Sequence, residues 1–265
     1  ESFATLSPHL RKEIPAYIRN GKRALLYVAR RGISSTTVCN DCGTTVTCNI
    51  CGASVVLHKA APDNYFLCHS CGVHRTALER CKHCDSWRLE ALGVGAERVE
   101  EELRGICGDT PVFIATSDSN KTPAQTRKTI EQFENTSGSI LISTLPAIRK
   151  LSQEVPFVGV VSMDTLFSIP AWNMQEHIAR TLMLLANVAS EQLTIQTRHP
   201  NNALLETLLS GNISRFYREE LAMRKKYGYP PYTTLIKVTT ESTPEHMEAR
   251  AQGIRTHLQE YAPVS

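Results

Sequence analysis

The sequence predicts an α/β protein, in which helices cover both faces of a parallel sheet and a cysteine-rich region is inserted after the first strand. Three observations predict this arrangement. Strand-like and helix-like segments alternate between residues 7 and 197, a pattern typical of a parallel sheet covered on both faces. Four Cys-x-x-Cys pairs interrupt the alternation between Cys39 and Cys84. From Asn201 onward the alternation stops, which indicates a smaller second domain.

Each element has a local signal. Ser7-Pro8 is an N-cap followed by a proline in the first turn, and it opens a helix that ends near Asn20-Gly21. The apolar run 24–28 predicts a buried strand. Apolar periodicity, short apolar runs and caps predict the remaining elements: a helix over 97–106, a strand over 111–115, a helix from Thr122-Pro123, strands over 139–143 and 157–162, a helix over 172–187, a strand over 193–197, two helices after Asn201, a strand over 233–239 and a helix from Thr243.

These elements divide the chain into four predicted parts. They are the start of the α/β lobe (1–38), the inserted cysteine-rich region (39–84), the rest of the lobe (85–199), and linker helices with an incomplete α+β domain (200–265). Because the chain begins at Glu1 and stops soon after a predicted helix, we expect it to be a fragment of a longer protein.

The composition is that of a globular protein rather than a membrane protein. Hydrophobic residues make up 42%, and no apolar run approaches the roughly 18 residues that a membrane span requires. We therefore expect a soluble, cytoplasmic protein that does not contact a membrane. The net charge of +3 and the pI of 8.4 neither require nor exclude a nucleic-acid partner, since dedicated nucleic-acid modules are commonly more basic.

The cysteines predict zinc. Eight of the nine form four pairs: Cys39/Cys42, Cys48/Cys51, Cys68/Cys71 and Cys81/Cys84. Two such pairs suit one tetrahedral Zn²⁺, with each sulfur about 2.3 Å from the ion. Glycine follows three of the pairs and Asp85 follows the fourth, which favours knuckle turns that need a positive φ. A redox dithiol would use one such motif, and disulfides would need a secreted context.

Four pairs allow three ways of sharing two zinc ions. The second and third pairs have the spacing of a zinc ribbon, which leaves the first pair to join the fourth. This nested scheme predicts one site from Cys39, Cys42, Cys81 and Cys84, and another from Cys48, Cys51, Cys68 and Cys71. Pairing of neighbours, first with second and third with fourth, is the alternative. The histidines of this region, His58, His69, His74 and His83, are expected at the surface or beside the ligands, because eight sulfurs already fill two sites.

No phosphate-binding loop of the Gly-x-x-x-x-Gly-Lys-[Ser/Thr] type occurs in the sequence, and no Asp-Glu pair follows an apolar strand. The chain therefore lacks the residues that hold ATP and Mg²⁺ in P-loop motors.

Four stretches resemble the PriA family of replication-restart DNA helicases, also called primosomal protein N-prime. They are the strand and Arg-Arg-Gly turn of 26–32, the spacing of the eight cysteines, the Gly-Ala-Glu-Arg helix start within 92–103, and the helix and Tyr-Pro-Pro-Tyr turn of 216–232. The resemblance runs from about Leu6 to Val238, nearly the whole chain. The resemblance implies the second lobe of a RecA-like helicase motor, with the cysteine-rich region inserted in it and the start of a C-terminal domain after it.

The resemblance also implies a degenerate motor. In the family, two arginines before the last strand stabilise the transferring phosphoryl group of ATP, and Val188 and Glu191 stand at those positions here. Loss of such an arginine costs about 10³–10⁵-fold in rate. We therefore expect no catalytic residues and no ATP hydrolysis from this chain alone, and ATP with Mg²⁺ only if a longer parent protein has an intact first lobe. The alternative is the C-terminal part of an active ATP-dependent 3′–5′ DNA helicase.

By the same resemblance, the expected partners are fork or single-stranded DNA, single-strand-binding protein and primosome proteins. The candidate DNA contacts are the cations Arg30, Arg31 and Lys59 and the aromatic residues Tyr65 and Phe66. An alternative for the two aromatic residues is that they pack the small core of the zinc region.

Overall fold

A computed structural model describes residues 5–29, 36–50, 52, 54–58, 63–68, 72–77, 79–92, 95–117, 119–167, 171–197, 201–236, 238 and 244–259. The helices in this part of the chain are α1 (Pro8–Arg19), α2 (Ala96–Cys107), α3 (Pro123–Glu134), α4 (Leu145–Ile148), α5 (Asp164–Phe167), α6 (Met174–Val188), α7 (Ala203–Leu209), α8 (Ile213–Tyr227) and α9 (Pro244–His257). The strands are β1 (Ala24–Val28), β2 (Thr36–Cys39), β3 (Val56–His58), β4 (Tyr65–Leu67), β5 (His74–Thr76), β6 (Leu89–Leu92), β7 (Val112–Ala115), β8 (Ile140–Ser143), β9 (Val155–Ser162) and β10 (Ala189–Ile195).

Five strands form one parallel sheet in the order β10-β9-β1-β8-β7, with β1 at its centre. Leu26 in β1 lies opposite Ile142 of β8 on one side and Gly159 of β9 on the other. The predicted α/β class is confirmed, and the parallel sheet with its helices is consistent with a RecA-like lobe.

Hydrophobic cores lie on both faces of this sheet. Leu25 and Tyr27 of β1 point into a core shared with α3, α6 and α7. The alternate residues Leu26 and Val28 point into a second core shared with α1 and α2. Because both faces are covered, every residue of β1 is buried, and this explains why the strand reads as a continuous apolar run.

The caps predicted for the helices of the lobe are present. The Ser7 side chain accepts a hydrogen bond from the Leu10 N–H at the start of α1, and Asn20 ends that helix. Thr122 and Gln125 form a reciprocal capping box at the start of α3. Such caps stabilise the first turn by bonding N–H groups that have no partner within the helix.

The predicted strand over 233–239 is wrong for the residues that the structure describes. Residues 233–236 and 238 are coil, and Leu235 and Ile236 are exposed. An isolated apolar run does not form a strand without a neighbouring strand to accept its hydrogen bonds. The rest of the range lies outside the described residues, as does Thr243, the predicted cap of α9.

The chain forms two compact units, Glu1–Tyr217 and Arg218–Ser265. The first contains the sheet and the cysteine-rich region. In the second, the buried Arg224 guanidinium donates to Glu220 at 2.8 and 2.9 Å and to the Pro230 carbonyl at 3.4 Å. Arg224 is therefore held by structural partners. The division into four parts remains a prediction.

Among the described residues, no helix combines the length and the apolar character that crossing a membrane would require.

Candidate functional site

The cysteine-rich region leaves the lobe after β1 and returns to it before α2. Its first strand, β2, pairs antiparallel with its last strand, β6, so that Cys39 lies opposite Leu89. A second small sheet, in the order β3-β4-β5, lies between them in the chain. The region is thus closed at its base by a two-stranded ladder.

Four equivalent turns shape the cysteine pairs. Gly43, Gly52, Gly72 and Asp85, each next to the second cysteine of a pair, have φ values of 73°, 73°, 74° and 57°. The N–H of each donates to the carbonyl of the first cysteine of its pair at 2.8–3.1 Å. The positive φ predicted at these four positions is confirmed, including that of the one residue that is not glycine.

The structure brings Cys39, Cys42, Cys81 and Cys84 together. Their sulfur atoms all lie within 4.8 Å of one another, and both Cys39–Cys84 and Cys42–Cys81 are separated by 3.5 Å. Four sulfurs at 2.3 Å from a tetrahedral Zn²⁺ would be about 3.8 Å apart, so this donor set fits the ion. Two of the cysteines are buried and two are exposed.

The sulfurs of this tetrad ionise unequally. Cys42 Sγ lies 3.2 Å from Thr44 Oγ1, and hydrogen bonds from the Thr44 side chain and backbone lower the pKa of the Cys42 thiol to about 5. The N–H of Ser86 lowers the pKa of Cys84, but the Cys42 sulfur, desolvation and the sulfurs of Cys39 and Cys81 together outweigh it, and the pKa rises to about 12. Thiolates this close repel one another, and a bound divalent cation would stabilise all four in the deprotonated form.

The second predicted site is described only in part. Cys48 and Cys68 are buried in the same small core, together with Val55 and Phe66. The Ile50 N–H lies 3.4 Å from Cys48 Sγ. Cys51 and Cys71 lie outside the described residues, so the sharing of an ion by these four cysteines remains a prediction.

The predicted DNA contacts have different outcomes. Arg30, Arg31 and Lys59 lie outside the described residues. Phe66 is 1% exposed and packs in the core of the cysteine-rich region with the Arg75 guanidinium 5.2 Å from its ring centre, so the packing alternative holds for this ring. A ring buried on this scale cannot stack on a base.

Tyr65 is half-buried and lies in a ladder of three rings on the other face of the β3-β4-β5 sheet. Its ring centre is 5.0 Å from that of His58 and 5.4 Å from that of His74, and the planes are within 8° of parallel. The faces of the Tyr65 ring are thus next to imidazoles. Neither histidine belongs to the sulfur tetrad of Cys39, Cys42, Cys81 and Cys84. His69 lies outside the described residues.

Sequence reasoning missed a cavity at the carboxyl ends of β7 and β8. It measures about 260 Å³, and hydroxyl groups and two ammonium groups line it. Thr116 follows β7 and Thr144 follows β8, while Lys121 and Lys150 come from the segments beyond them. Ligands of parallel α/β sheets bind beyond the carboxyl ends of the strands, and hydroxyls with lysines suit phosphate oxygens. Polar residues directly after two apolar strands were the available signal.

Comparison with known proteins gives two results. No protein-family model matches the chain. The replication restart protein PriA of Borreliella burgdorferi is 28% identical over 248 residues, which are 91% of this chain and 37% of that protein. Its counterpart from Bacillus subtilis is 29% identical over 242 residues, with shares of 88% and 29%. The PriA of Haemophilus influenzae is 29% identical over 241 residues, with shares of 88% and 33%.

Over about nine-tenths of its length, the chain is similar to these PriA proteins. It matches the C-terminal region of these proteins and spans about a third of the length of the curated relatives that it matches.

The structure describes both residues that are expected at the positions of the two PriA arginines. Val188 ends α6 and packs against the core of the sheet. The Glu191 carboxylate lies 2.7 and 2.8 Å from Lys22 Nζ, near the amino ends of β10 and β1. Neither side chain supplies positive charge to a phosphate.

Proposed function

We propose that this chain is the zinc- and DNA-binding part of a replication-restart protein, and that its own residues do not complete an ATPase site. The observation that carries the proposal is the tetrad of Cys39, Cys42, Cys81 and Cys84. Its donor set and spacing suit Zn²⁺, and it lies in a region that leaves the sheet at the carboxyl end of the central strand.

The zinc is structural in this proposal. Four thiolates complete the tetrahedron, so no coordination position remains for water or substrate. The ion would hold the turns of the Cys39/Cys42 and Cys81/Cys84 pairs together, in a region whose own hydrophobic core is small. Because all four cysteine turns share one geometry, we propose a second zinc on Cys48, Cys51, Cys68 and Cys71.

DNA binding is supported by the cavity at the same edge of the sheet. Lys121 and Lys150 place two cations beside the hydroxyls of Thr116 and Thr144. Such groups neutralise and hydrogen-bond phosphates without reading the bases. Arg30 and Arg31, directly after β1 in the sequence, are proposed as further phosphate contacts, with Lys59 and Tyr65 in the zinc region.

ATP hydrolysis is not expected from these residues. Val188 and Glu191 replace the cationic pair, and Glu191 is paired with Lys22. A carboxylate beside a triphosphate would repel it. The alternative, the C-terminal part of an active 3′–5′ helicase, would require cations from elsewhere in a longer protein.

The proposal places the protein in the cytoplasm with fork or single-stranded DNA. Single-strand-binding protein and primosome proteins are its proposed protein partners, since the curated relatives are replication restart proteins.

Elemental analysis of the purified full-length protein tests the metal sites. We expect two zinc ions per chain, and one ion in each of the variants Cys84→Ser and Cys48→Ser. Cys107→Ser is the control, because this cysteine lies in α2, outside the pairs, and its zinc content should stay at two. One ion or none in the unmodified protein would contradict the proposal.

Salt dependence tests the phosphate contacts. Each neutralised phosphate contributes about 0.7 to the slope of log K against log salt for single strands, so Lys121→Ala/Lys150→Ala should flatten that slope by about 1.4. Lys22→Ala is the matched control, since Lys22 lies near the amino ends of the strands and pairs with Glu191. Equal slopes in all three proteins would rule out the cavity as a phosphate site.

DNA-stimulated ATPase activity of the full-length protein separates the two functions. We expect none above background, whereas sustained turnover would favour the helicase alternative.

A further inference from the structure

Trp87 is an exposed aromatic residue on a short turn between Cys84 and β6. Its side chain is 77% exposed, an unusual position for the largest apolar side chain of a protein. The turn follows one half of the sulfur tetrad directly, and β6 then leads back to the lobe.

Hydrogen bonds on both sides fix this turn to the two halves of the tetrad. The Cys81 N–H donates to the Ser86 carbonyl at 2.8 Å, and the Asn40 N–H donates to the Arg88 carbonyl at 2.8 Å. The Ser86 hydroxyl donates to Asp41 Oδ2 at 2.5 Å. Trp87 is thus presented on a backbone that is ordered before any partner arrives, which lowers the entropic cost of binding.

The residues before and after Trp87 in the chain, Ser86 and Arg88, are polar. Arg88 pairs with Asp41 at 3.1 Å, and Arg80 pairs with Asp85 at 3.1 Å. Within residues 79–89, whose side-chain exposure the structure describes without a gap, Trp87 is the one exposed large hydrophobic side chain. The core of a protein–protein interface needs a contiguous apolar patch, and a lone indole among ion pairs does not provide one.

A single rigid aromatic ring in a polar, partly cationic setting suits an unpaired nucleobase. Every base has a π-face that can stack on an indole, and Arg88, the next residue in the chain, is half-exposed and can contact a phosphate of the same strand. We propose that the indole of Trp87 stacks on an unpaired base of single-stranded DNA. This inference rests on the proposed DNA-binding function and assigns it a base contact beside the zinc tetrad.

The test measures binding of the zinc-loaded full-length protein to a labelled single strand of thymidines and to a blunt duplex. Trp87→Ala should bind the single strand about 5- to 150-fold more weakly, the loss expected for one stacked base. The slope of log K against log salt should not change, because stacking neutralises no phosphate. Duplex binding should not change either, since its bases are already stacked.

Two further variants make the result specific. Trp87→Phe retains a ring, so most of the affinity should remain while the quenching of tryptophan fluorescence by DNA falls. Ile50→Ala is the matched control: Ile50 is 69% exposed on another cysteine turn, and its loss should change neither affinity nor zinc content.

The possible outcomes separate this inference from the proposed function. If the unmodified protein binds single strands and Trp87→Ala binds them equally well with full zinc content, the stacking role is wrong and DNA binding stands. If Trp87→Ala instead loses a protein partner with unchanged affinity for DNA, the turn is a protein-docking site and the inference is also wrong. If the zinc-loaded unmodified protein binds no DNA, both proposals fail.

Discussion

At the scale of single residues, Tyr27 couples the core of the sheet to pH. Its side chain is 3% exposed in β1, and burial raises the pKa of its phenol from about 10 to about 12. The folded protein therefore holds this proton more tightly than the unfolded chain. The resulting stability is complete below pH 10 and is lost as the pH rises toward 12.

Replacing Tyr27 with phenylalanine should remove this loss of stability at alkaline pH. At pH 11.5 the unfolding free energy of the unmodified protein should have fallen by about 2 kcal/mol more than that of Tyr27→Phe, relative to pH 9. Urea unfolding at the two pH values measures the difference. Tyr232→Phe is the control, since that ring is 48% exposed, and the same loss as in the unmodified protein is expected there. If the unfolding free energy of Tyr27→Phe fell between the two pH values by as much as that of the unmodified protein, burial of this phenol would not have the expected effect.

At Asp85 the conformation of the backbone matters more than the side chain. Its φ of 57° is the one positive value at a non-glycine residue among the described residues. Asp85→Val should weaken zinc binding to the sulfur tetrad, because a β-branched residue is disfavoured in this conformation by about 1–2 kcal/mol.

Asp85→Gly is the matched variant for this test. It keeps the turn and loses only the exposed pair with Arg80, which contributes little. Competition with a zinc chelator should therefore rank Val as the weakest of the three residues at this position. A valine variant that holds zinc as well as the glycine variant would show that the positive φ is not required.

At the scale of elements, the packing of α1 against β9 and β1 depends on Gly159. A Cβ at this position would lie 2.8 Å from Leu26 Cδ2 and 3.3 Å from Leu10 Cδ2, and both leucines are fully buried. Gly159→Ala should therefore destabilise the protein by about 1–3 kcal/mol.

Gly105 provides the contrast in α2. A Cβ there would meet nothing within 4 Å, so Gly105→Ala should stabilise the helix by about 0.5–1 kcal/mol. Thermal or urea unfolding of the two variants checks the pair, and opposite signs are expected. A destabilised Gly105→Ala would mean that the exposed face of α2 is covered by something beyond the described chain.

The helices and strands also show which parts of the fold could be predicted from the sequence. The apolar run of β1 and the cap of α3 are local signals, and each produced the expected element. The coil over 233–236 was missed because a strand depends on a neighbour that local composition does not specify. Phe66 shows the same limit at a site, since the sequence left open whether the ring packs or binds, and only the fold buries it.

The candidate sites show the same contrast between local signals and features that depend on the fold. The turns of the cysteine pairs were predictable because all of their determinants lie within a few residues. The cavity was not, because Thr116 and Thr144 meet only through the parallel pairing of β7 and β8. Trp87 was missed because exposure of a large ring cannot be read from its immediate neighbours.

At the scale of the whole molecule, the cysteine-rich region and the lobe should differ in their dependence on metal. The lobe has cores on both faces of its sheet, whereas the hydrophobic cluster described in the cysteine-rich region is small, with Cys48, Val55, Phe66 and Cys68 as its buried members. Chelation should therefore unfold residues 36–92 and leave the five-stranded sheet intact, since metal binding supplies the folding free energy of such small regions.

Hydrogen exchange with and without a chelator measures this difference. Amides of β2, β3 and β4 should lose protection on zinc removal, while those of β1, β8 and β9 keep it. Restored zinc should restore protection. Loss of protection throughout the sheet would show that the two regions fold as one cooperative unit.

The antiparallel pairing of β2 with β6 has a consequence for engineering. Paired antiparallel residues lie about 5 Å apart at their Cα atoms, so residues 36–92 begin and end at nearly one point. A segment with such closely spaced ends can be exchanged for a short turn or grafted into a surface loop of an unrelated host. Transplanted as a whole, it would carry the sulfur tetrad and the exposed tryptophan into the new host.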